Sequence, residues 1–480
     1  MSSLKEKTAA GLFWGATSTF LTQLISMIIG FYLARILSPA DYGLVGMLAI
    51  FSAIAGTLQE SGFTAALTNL KKVTSKEYNA VFWFSTTVST SLYLILFFCA
   101  PLIAKFYHQP ELTSLSRLVF ASFVVAGIGT AHSAYMFRNM MNKEKAIIGA
   151  IASLLSGLIG VYLASQGYSY WSLAWQQFAF IAITDIGRLY YVRWLPNLHI
   201  DFTPIRKMFA FSSKLLVTSI ITQVNNNILT IIFGRLFSAK SVGNFTQAFK
   251  WDSMAYQFVS GTISQVAQPV LSSISDEKER QLKIFRKMLR FTAFISFPAM
   301  FGLSLVAREF ILITIHDQWL DSIPLLRILC ISGAFFPFFT LYQNLVISEG
   351  RSDINMWCNI SFVAAQLILF IGFHFLSMSN IVSIYAAINI LWILIWQNVA
   401  KKLIGITFMD FARDIMPFLL ASATTCGIAY IATSSITNLT LLLFLRIIIV
   451  GVMYFMIMKI CHAQILEDCI GYFLDKIKKR

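Results

Sequence analysis

Charged residues are scarce in this chain of 480 residues. Asp, Glu, Lys and Arg together make up 12% of it, whereas hydrophobic residues make up 57%. Even large soluble domains leave about a quarter of their unfolded-chain surface in water, and this composition has too few polar side chains to cover such a surface. No polar stretch is long enough to fold by itself. The composition therefore excludes a soluble protein with a separate enzymatic domain and predicts an integral membrane protein.

Cysteine and histidine are also rare, with six of each. The cysteines form no CxxC pair and the histidines are scattered singly, so neither a zinc site nor a disulfide framework is predicted. The chain also lacks the Gly-rich P-loop that binds nucleotide phosphates. We therefore expect no metal, no cofactor and an energy source other than ATP.

Long apolar runs are what the chain has in abundance. Runs of about 20 residues, the length that crosses a bilayer as a helix, recur from end to end. They predict an all-α protein with fourteen spans. Most of the 37 Lys and Arg residues lie at the N-terminus, after even-numbered spans and in the tail. Since basic connections favour the cytoplasm, both termini are predicted to be cytoplasmic. The net charge of +15 then reflects topology and anionic lipids, and no nucleic-acid partner is expected.

The chain also contains an internal repeat. Residues 18–43 align without gaps on residues 218–243, and residues 111–122 align on residues 321–332. The two matches have the same order and nearly the same separation, so we interpret spans one to twelve as two duplicated six-helix units. Each unit has an even number of spans, so both enter the membrane in the same direction. Two parallel halves around a cleft are typical of transporters.

The repeat also predicts the domain boundaries. These are 1–200 for a first lobe of six spans, 201–405 for a second lobe of six spans, 406–461 for two further spans, and 462–480 for an amphipathic cytoplasmic tail.

Three stretches carry a family resemblance. They are "ARILSPADYG" (34–43), "ESGFTAALTNL" (60–70), and "SVGNFTQAFKWDSM" (241–254) with the following "ISQVAQPVLSSIS". In these motifs the chain resembles the polysaccharide-exporting flippases of the MOP superfamily, in the Wzx-like branch that moves undecaprenyl-pyrophosphate-linked oligosaccharides. The resemblance covers almost the whole chain. It implies a V-shaped bundle of six, six and two spans that works by alternating access in the bacterial inner membrane.

Four arginines occupy equivalent places in the two halves. Arg35 and Arg235 end equivalent helices, where a cation favours the helix dipole and reaches lipid headgroups. Arg117 and Arg327 lie near the outer ends of equivalent spans. Because both halves keep them, we predict scaffold or interface roles for all four.

Two lysines break the symmetry. Lys214 and Lys250 have Trp14 and Ile50 as their counterparts, so only the second half carries these charges. Residues that differ between the halves are better candidates for handling an asymmetric substrate. We predict that both lysines attract the pyrophosphate of the substrate.

A polar stripe accompanies Lys250 in span eight. Gln247 and Gln257 fall with it in a sector of about 100° of the helix. Span seven adds Asn225 and Asn226. Amides bind sugars well, so we expect these side chains to line a water-filled cleft and contact substrate. Hydrogen bonding between helices explains the same pattern nearly as well.

Two acids are candidates for ion or proton coupling. Glu60 aligns, through the family resemblance, with an acidic position of a [DE]-x-G segment. Asp252 follows Lys250 by two residues and lies on a different face of the helix. Either carboxyl group could carry a proton or neutralise a base.

The leading functional hypothesis is therefore the flipping of a lipid-linked oligosaccharide between leaflets for cell-surface polysaccharide assembly. Its expected partners are that substrate, membrane lipids and the polysaccharide polymerase or export machinery. A multidrug or cation antiporter of the same superfamily is the first alternative. A membrane-embedded glycan polymerase is the second, although the chain has no large extramembrane loop for catalytic groups.

Overall fold

Helices make up nearly all the secondary structure of the chain. The computed structural model describes residues 21–69 and 73–467, without the side chains at 55–56, 58–66, 68–69, 207–216 and 218. No strand occurs in these two ranges. The helices are α1 (Leu21–Ile36), α2 (Pro39–Asn69), α3 (Ser75–Tyr107), α4 (Leu112–Arg138), α5 (Asn142–Ser165), α6 (Tyr170–Tyr191), α7 (Thr203–Leu236), α8 (Ala239–Ser273), α9 (Lys278–Ile315), α10 (Ser322–Gly333), α11 (Phe336–Ser348), α12 (Ser352–Phe373), α13 (Met378–Ile404), α14 (Phe408–Ala432) and α15 (Leu439–Ile460).

The predicted all-α membrane fold is confirmed. Within the described ranges, 9 helical segments are long and apolar enough to cross a membrane. One of these is Ser322–Ser348, which contains α10 and α11 together. The break between them precedes Pro337, which has no backbone N–H to continue an α-helical ladder. Counted as one span, this pair brings the fifteen helices into agreement with the fourteen predicted spans.

The chain divides into two compact units, Met1–Gly243 and Asn244–Arg480. In the first unit α3 packs on α4, α5 packs on α6, and α2 packs along α7. The helix α7 therefore lies in the first unit, although the sequence repeat assigns it to the second half. In the second unit α9 contacts α10, α14 and α15. The repeat-based domain boundaries stay a prediction, since a duplicated segment and a compact unit need not coincide.

Capping residues define where several helices begin. At the start of α3, the backbone N–H of Thr74 donates to Oε2 of Glu77 at 2.7 Å, in a reciprocal capping box. Thr407 and Asp410 form the same box at α14. Both are the Thr-x-x-acid pattern that satisfies the unpaired donors of a first helical turn.

The repeated motif "SPADYG" has a structural role at the start of α2. The carboxylate of Asp41 accepts hydrogen bonds from the backbone N–H of Ser38 at 2.9 Å and from its hydroxyl at 2.7 Å. Ser169 also donates to Asp41. In the second copy Ser241 takes the place of Asp41, and its backbone N–H donates to Ser238 at 3.3 Å. The loss of the acid in "SAKSVG" therefore leaves a weaker cap.

The glycines that close the two copies pack reciprocally. A Cβ atom on Gly43 would overlap the carbonyl oxygen of Ala239, and one on Gly243 would overlap the carbonyl oxygen of Pro39. The first turns of α2 and α8 thus approach with backbone against backbone. The two copies of the motif therefore pack against each other at their closing glycines.

Candidate functional site

A polar cavity of about 340 Å³ lies in the first unit. It is lined by α1, α5 and α6, and its polar side chains are amides and hydroxyls. Neither Asp nor Glu occurs among the described residues of its lining. The polar members are Thr22, Gln23, Ser26, Ser153, Ser156, Gln176 and Gln177.

Small residues on α5 make this cavity. Ser153, Ser156, Gly157 and Gly160 recur at helical spacing and therefore share one face of the helix. A Cβ on Gly157 would overlap the side chain of Ile29, and one on Gly160 would press on Gln176. Because these positions are small, α1 and α6 come close to α5 while the serine hydroxyls stay at the cavity wall.

In the second unit, the residues of the predicted polar stripe on α8 differ in how deeply they are buried. Gln247 is fully buried, and its amide N and O have no hydrogen-bond partner among the described residues. Lys250 is half-buried, with its ammonium 5.1 Å from the centre of the Trp251 ring. Gln257 is exposed. The stripe therefore runs along the helix from a buried residue to an exposed one.

The asparagines of α7 differ from one another. Asn225 is half-buried, and its carbonyl oxygen has no hydrogen-bond partner in the described part of the chain. Asn226 is exposed. Successive residues on a helix point about 100° apart, so the two amides face different surroundings.

Asp252 is fully buried in the second unit. The thiol of Cys330 lies beside its carboxyl group. A Cβ on Gly333 would overlap one carboxyl oxygen, so α10 approaches Asp252 closely because it has a glycine there. Lys214 and Glu60, the other charged members of the predicted site, lie outside the residues whose side chains the structure describes.

Two of the four predicted scaffold arginines contact α3 in the first unit. Arg235 donates to the carbonyl oxygen of Phe106 at 3.0 Å and contacts His108. The guanidinium of Arg117 lies 4.3 Å from the centre of the Phe97 ring. Arg35 and Arg327 are exposed. The scaffold or interface role of all four arginines stays a prediction.

A buried ion pair in the second unit was missed by the sequence reasoning. Nη1 of Arg446 lies 2.9 Å from Oε1 of Glu309, and its Nε donates to Oγ1 of Thr433 at 3.1 Å. Both side chains of the ion pair are buried. The sequence signal for this pair was Arg446 itself, the one arginine of α15, which is the most apolar of the described membrane-length helices. A charge in such a helix calls for a partner.

The polar cavity of the first unit was missed as well, because its residues lie on α1, α5 and α6, away from the helices that carry Lys214 and Lys250. The helical spacing of Ser and Gly on α5 could have revealed it. Within the described ranges, no three His, Cys, Asp or Glu side chains converge to form a metal site.

Comparison with known proteins identifies the family. Residues 32–324 match the family described as "Polysaccharide biosynthesis protein", which is more than half of the chain. The lipopolysaccharide biosynthesis protein WzxC of Escherichia coli is 25% identical over 75% of this chain and 73% of its own length. The teichuronic acid biosynthesis protein TuaB of Bacillus subtilis is 24% identical over 88% of each chain.

Among solved structures, the lipid II flippase MurJ in an inward closed conformation has the same fold. Its TM-score is 0.79, with 13% sequence identity over 95% of this chain and 100% of MurJ. The predicted resemblance to proteins of polysaccharide biosynthesis is thereby confirmed, and the likeness to MurJ shows the shared fold. The chain belongs to the polysaccharide biosynthesis protein family.

Proposed function

We propose that the protein flips a lipid-linked oligosaccharide from the cytoplasmic to the outer leaflet by alternating access, for cell-surface polysaccharide assembly. The observation that carries this function is the polar cavity among α1, α5 and α6 of a multi-pass membrane protein, whose described lining contains no Asp or Glu. A glycan cannot enter hydrocarbon without losing its hydration. Amides and hydroxyls at the cavity wall would replace the lost hydrogen bonds, while the polyprenyl tail stays in lipid.

The residues predicted from the repeat enter the same proposal. Lys214 and Lys250 would attract the pyrophosphate, and the amides of Asn225, Asn226, Gln247 and Gln257 would contact the glycan. Gln247 supports this assignment best, because a buried amide with both polar atoms unpaired among the described residues is costly unless something binds it.

Ion or proton coupling is proposed for Asp252 and Glu60. Asp252 is fully buried and is bordered by a thiol and a glycine. A carboxyl group in such surroundings is expensive to ionise without a nearby cation, so it is suited to exchange a proton or a small cation during transport.

The cation-antiporter alternative is less well supported. A cavity that captures organic cations is expected to offer carboxylates, and the described lining of the polar cavity offers only amides, hydroxyls and apolar groups. The relatives named above are polysaccharide biosynthesis proteins, which favours transport of a glycan carrier. We also propose the bacterial inner membrane, with both chain ends in the cytoplasm, as the site of action.

The test is deletion of the gene followed by analysis of the lipid-linked glycan. The deletion strain should accumulate lipid-linked oligosaccharide in the cytoplasmic leaflet and lose its surface polysaccharide. The intact gene should restore export, whereas Lys250→Ala should leave it lost at normal protein abundance. The matched control is Lys240→Ala, which removes an exposed charge from the first turn of the same helix.

Two results would contradict the proposal. A deletion strain with no accumulated lipid-linked glycan would remove the flipping function. Full export by Lys250→Ala would remove that lysine from the mechanism and leave the function in place.

A further inference from the structure

The polar cavity among α1, α5 and α6 is neutral as well as polar. Its described lining contains no ionisable side chain of either sign. Its volume of about 340 Å³ is near the lower end of the range of about 300–1,000 Å³ that small-molecule sites occupy, which suits about one or two sugar rings. What this wall binds therefore depends on neutral hydrogen-bonding groups and on apolar contact.

Three glutamines supply amide groups to the wall. Gln23 is exposed on α1, and Gln176 and Gln177 are half-buried on α6. None of the three side-chain amides forms a hydrogen bond with the described part of the chain. The stem of Gln176 packs on Gly160 of α5, which holds this side chain at the wall. An amide both donates and accepts hydrogen bonds, as a sugar hydroxyl does, so the two groups pair in either sense.

Phe180 adds an aromatic surface to the same wall. Its side chain is 39% exposed, and it follows Gln176 by one helical turn, so the ring and this amide lie on the same side of α6. The face of an aromatic ring carries partial negative charge, and the C–H groups of a sugar ring carry partial positive charge, so the two stack. An aromatic face with amides beside it is suited to hold an uncharged sugar.

An acidic sugar finds no counter-charge in this lining. Arg188 on α6 and Lys145 on α5 line a different cavity, where Arg188 pairs with Asp185 and Lys145 lies over the ring of Phe137. A carboxylate that enters a site without a cation loses its hydration and gains no ionic partner. A hydroxyl in the same place exchanges hydrogen bonds with water for hydrogen bonds with the amides. The cavity should therefore discriminate against uronic acids.

We propose that the polar cavity selects an uncharged sugar of the glycan, with Phe180 against the face of the sugar ring and the amides of Gln176 and Gln177 on its hydroxyls. This inference rests on the proposed function and narrows its substrate class to lipid-linked oligosaccharides with a neutral sugar at this site. The preference opposes the overall electrostatics of the chain, because a net charge of +15 attracts anions. A measured preference for the neutral sugar is therefore assigned to the cavity.

The test uses the purified full-length protein in detergent with two probes, undecaprenyl pyrophosphate linked to glucose and undecaprenyl pyrophosphate linked to glucuronic acid. The probes differ only at C6, which is a hydroxymethyl group in one and a carboxylate in the other. The intact protein should bind the glucose probe about tenfold more tightly, since a charged group without a partner loses about the worth of one charge-assisted hydrogen bond. Equal binding of the two probes, or tighter binding of the glucuronic acid probe, would overturn the proposal.

A cation placed in the cavity wall should remove the preference. Gln177→Lys supplies the partner that the carboxylate lacks, so the ratio of the two affinities should fall by about tenfold. Gln166→Lys is the matched control, because it makes the same change at an exposed glutamine just after α5, outside the lining, and it should keep the ratio. Ser26→Lys makes the change at an exposed position of the wall on α1 and replaces Gln177→Lys if that variant does not fold. An unchanged ratio in the folded lysine variant would overturn the proposal.

Phe180→Leu separates stacking from charge. Loss of the aromatic face should weaken the binding of both probes by about fivefold and leave the ratio of their affinities unchanged. Phe180→Tyr keeps the ring and should bind both probes as the intact protein does. Binding of both probes at full strength by Phe180→Leu would overturn the role assigned to the ring.

The proposed function and the selection of a neutral sugar fail in different ways. A deletion strain that accumulates lipid-linked glycan, together with equal binding of the two probes, contradicts only the selection of a neutral sugar. A deletion strain without accumulated glycan contradicts the flipping function, whichever probe the purified protein prefers.

Discussion

Arg446 and Glu309 illustrate what a single residue can do in this chain. The guanidinium group is buried against Glu309, Thr433 and the ring of Tyr430, whose centre is 5.4 Å away. A charge within a membrane helix is costly unless a partner compensates it. The pair joins α15 to α9, and we interpret it as the contact that fixes the last helix pair on the second unit.

Removal of this arginine should destabilise the protein strongly. Arg446→Leu leaves Glu309 buried without its cation, and breaking a buried pair from one side costs about 3–5 kcal/mol. The double variant Arg446→Leu/Glu309→Leu should recover most of that loss, since it removes both charges. Thermal unfolding in detergent and abundance in membranes measure the effect.

The control for this prediction is Arg308→Leu, which removes an exposed charge beside Glu309 on α9. It should melt near the unchanged protein. If Arg446→Leu melts there too, or if the double variant is as unstable as the single one, the pair does not have the structural role assigned to it.

The ion pair of Arg446 and Glu309 could not be predicted from the internal repeat. The repeat relates charges in one half to positions in the other, and α14 and α15 have no counterpart in either half. The neutral candidates were sought only on the helices that carry Lys214 and Lys250, so Gln176, Ser153 and the other residues of the polar cavity were passed over. Contacts between helices distant in sequence decide which polar groups share a cavity, and one sequence does not specify those contacts.

At the scale of helices, the reciprocal contact of Gly43 and Gly243 gives the repeated motif a physical meaning. Each glycine lies in the first turns of its helix, and each lies against the carbonyl oxygen of the residue that begins the other helix. Any side chain at either position must push the two backbones apart. The motif therefore acts as a helix-pairing element as well as a helix start.

Alanine at these positions should separate α2 from α8. Overpacking of a well-fitted contact costs about 1–3 kcal/mol, so Gly43→Ala and Gly243→Ala should each lower the melting temperature in detergent and reduce export. Gly261→Ala is the control, because a Cβ there meets nothing within 4 Å. It should be neutral or slightly stabilising, since alanine favours helix. Two alanine variants that melt like the unchanged protein would refute the close contact.

Helices were the most predictable level of this structure. Apolar runs predicted where the spans lie, because backbone groups in lipid must be satisfied within the helix. The break between α10 and α11 was not predicted, although Pro337 was a local signal for it. The placement of α7 in the first unit was also not predicted. A repeat shows which segments are duplicated, whereas the packing of a helix depends on which of its faces are buried.

For the whole molecule, the distribution of Lys and Arg predicts one orientation in the membrane. Connections that follow odd-numbered spans should face outward, and those that follow even-numbered spans should face the cytoplasm. Glu111 and Gln166 lie in or at the edge of outward connections, and Leu198 lies in a cytoplasmic one; all three are exposed. These positions can report the orientation directly.

Single cysteines at these positions test the orientation in intact cells. In a protein whose six native cysteines are replaced by alanine, Glu111→Cys and Gln166→Cys should react with a maleimide that cannot cross the inner membrane. Leu198→Cys should react only after the cells are permeabilised, and export by each variant confirms a native fold. Labelling of Leu198→Cys in intact cells, with protection of the other two cysteines, would show that the protein has the opposite orientation in the membrane. The predicted cytoplasmic location of both chain ends would then be wrong, because it rests on the same distribution of basic residues among the connections.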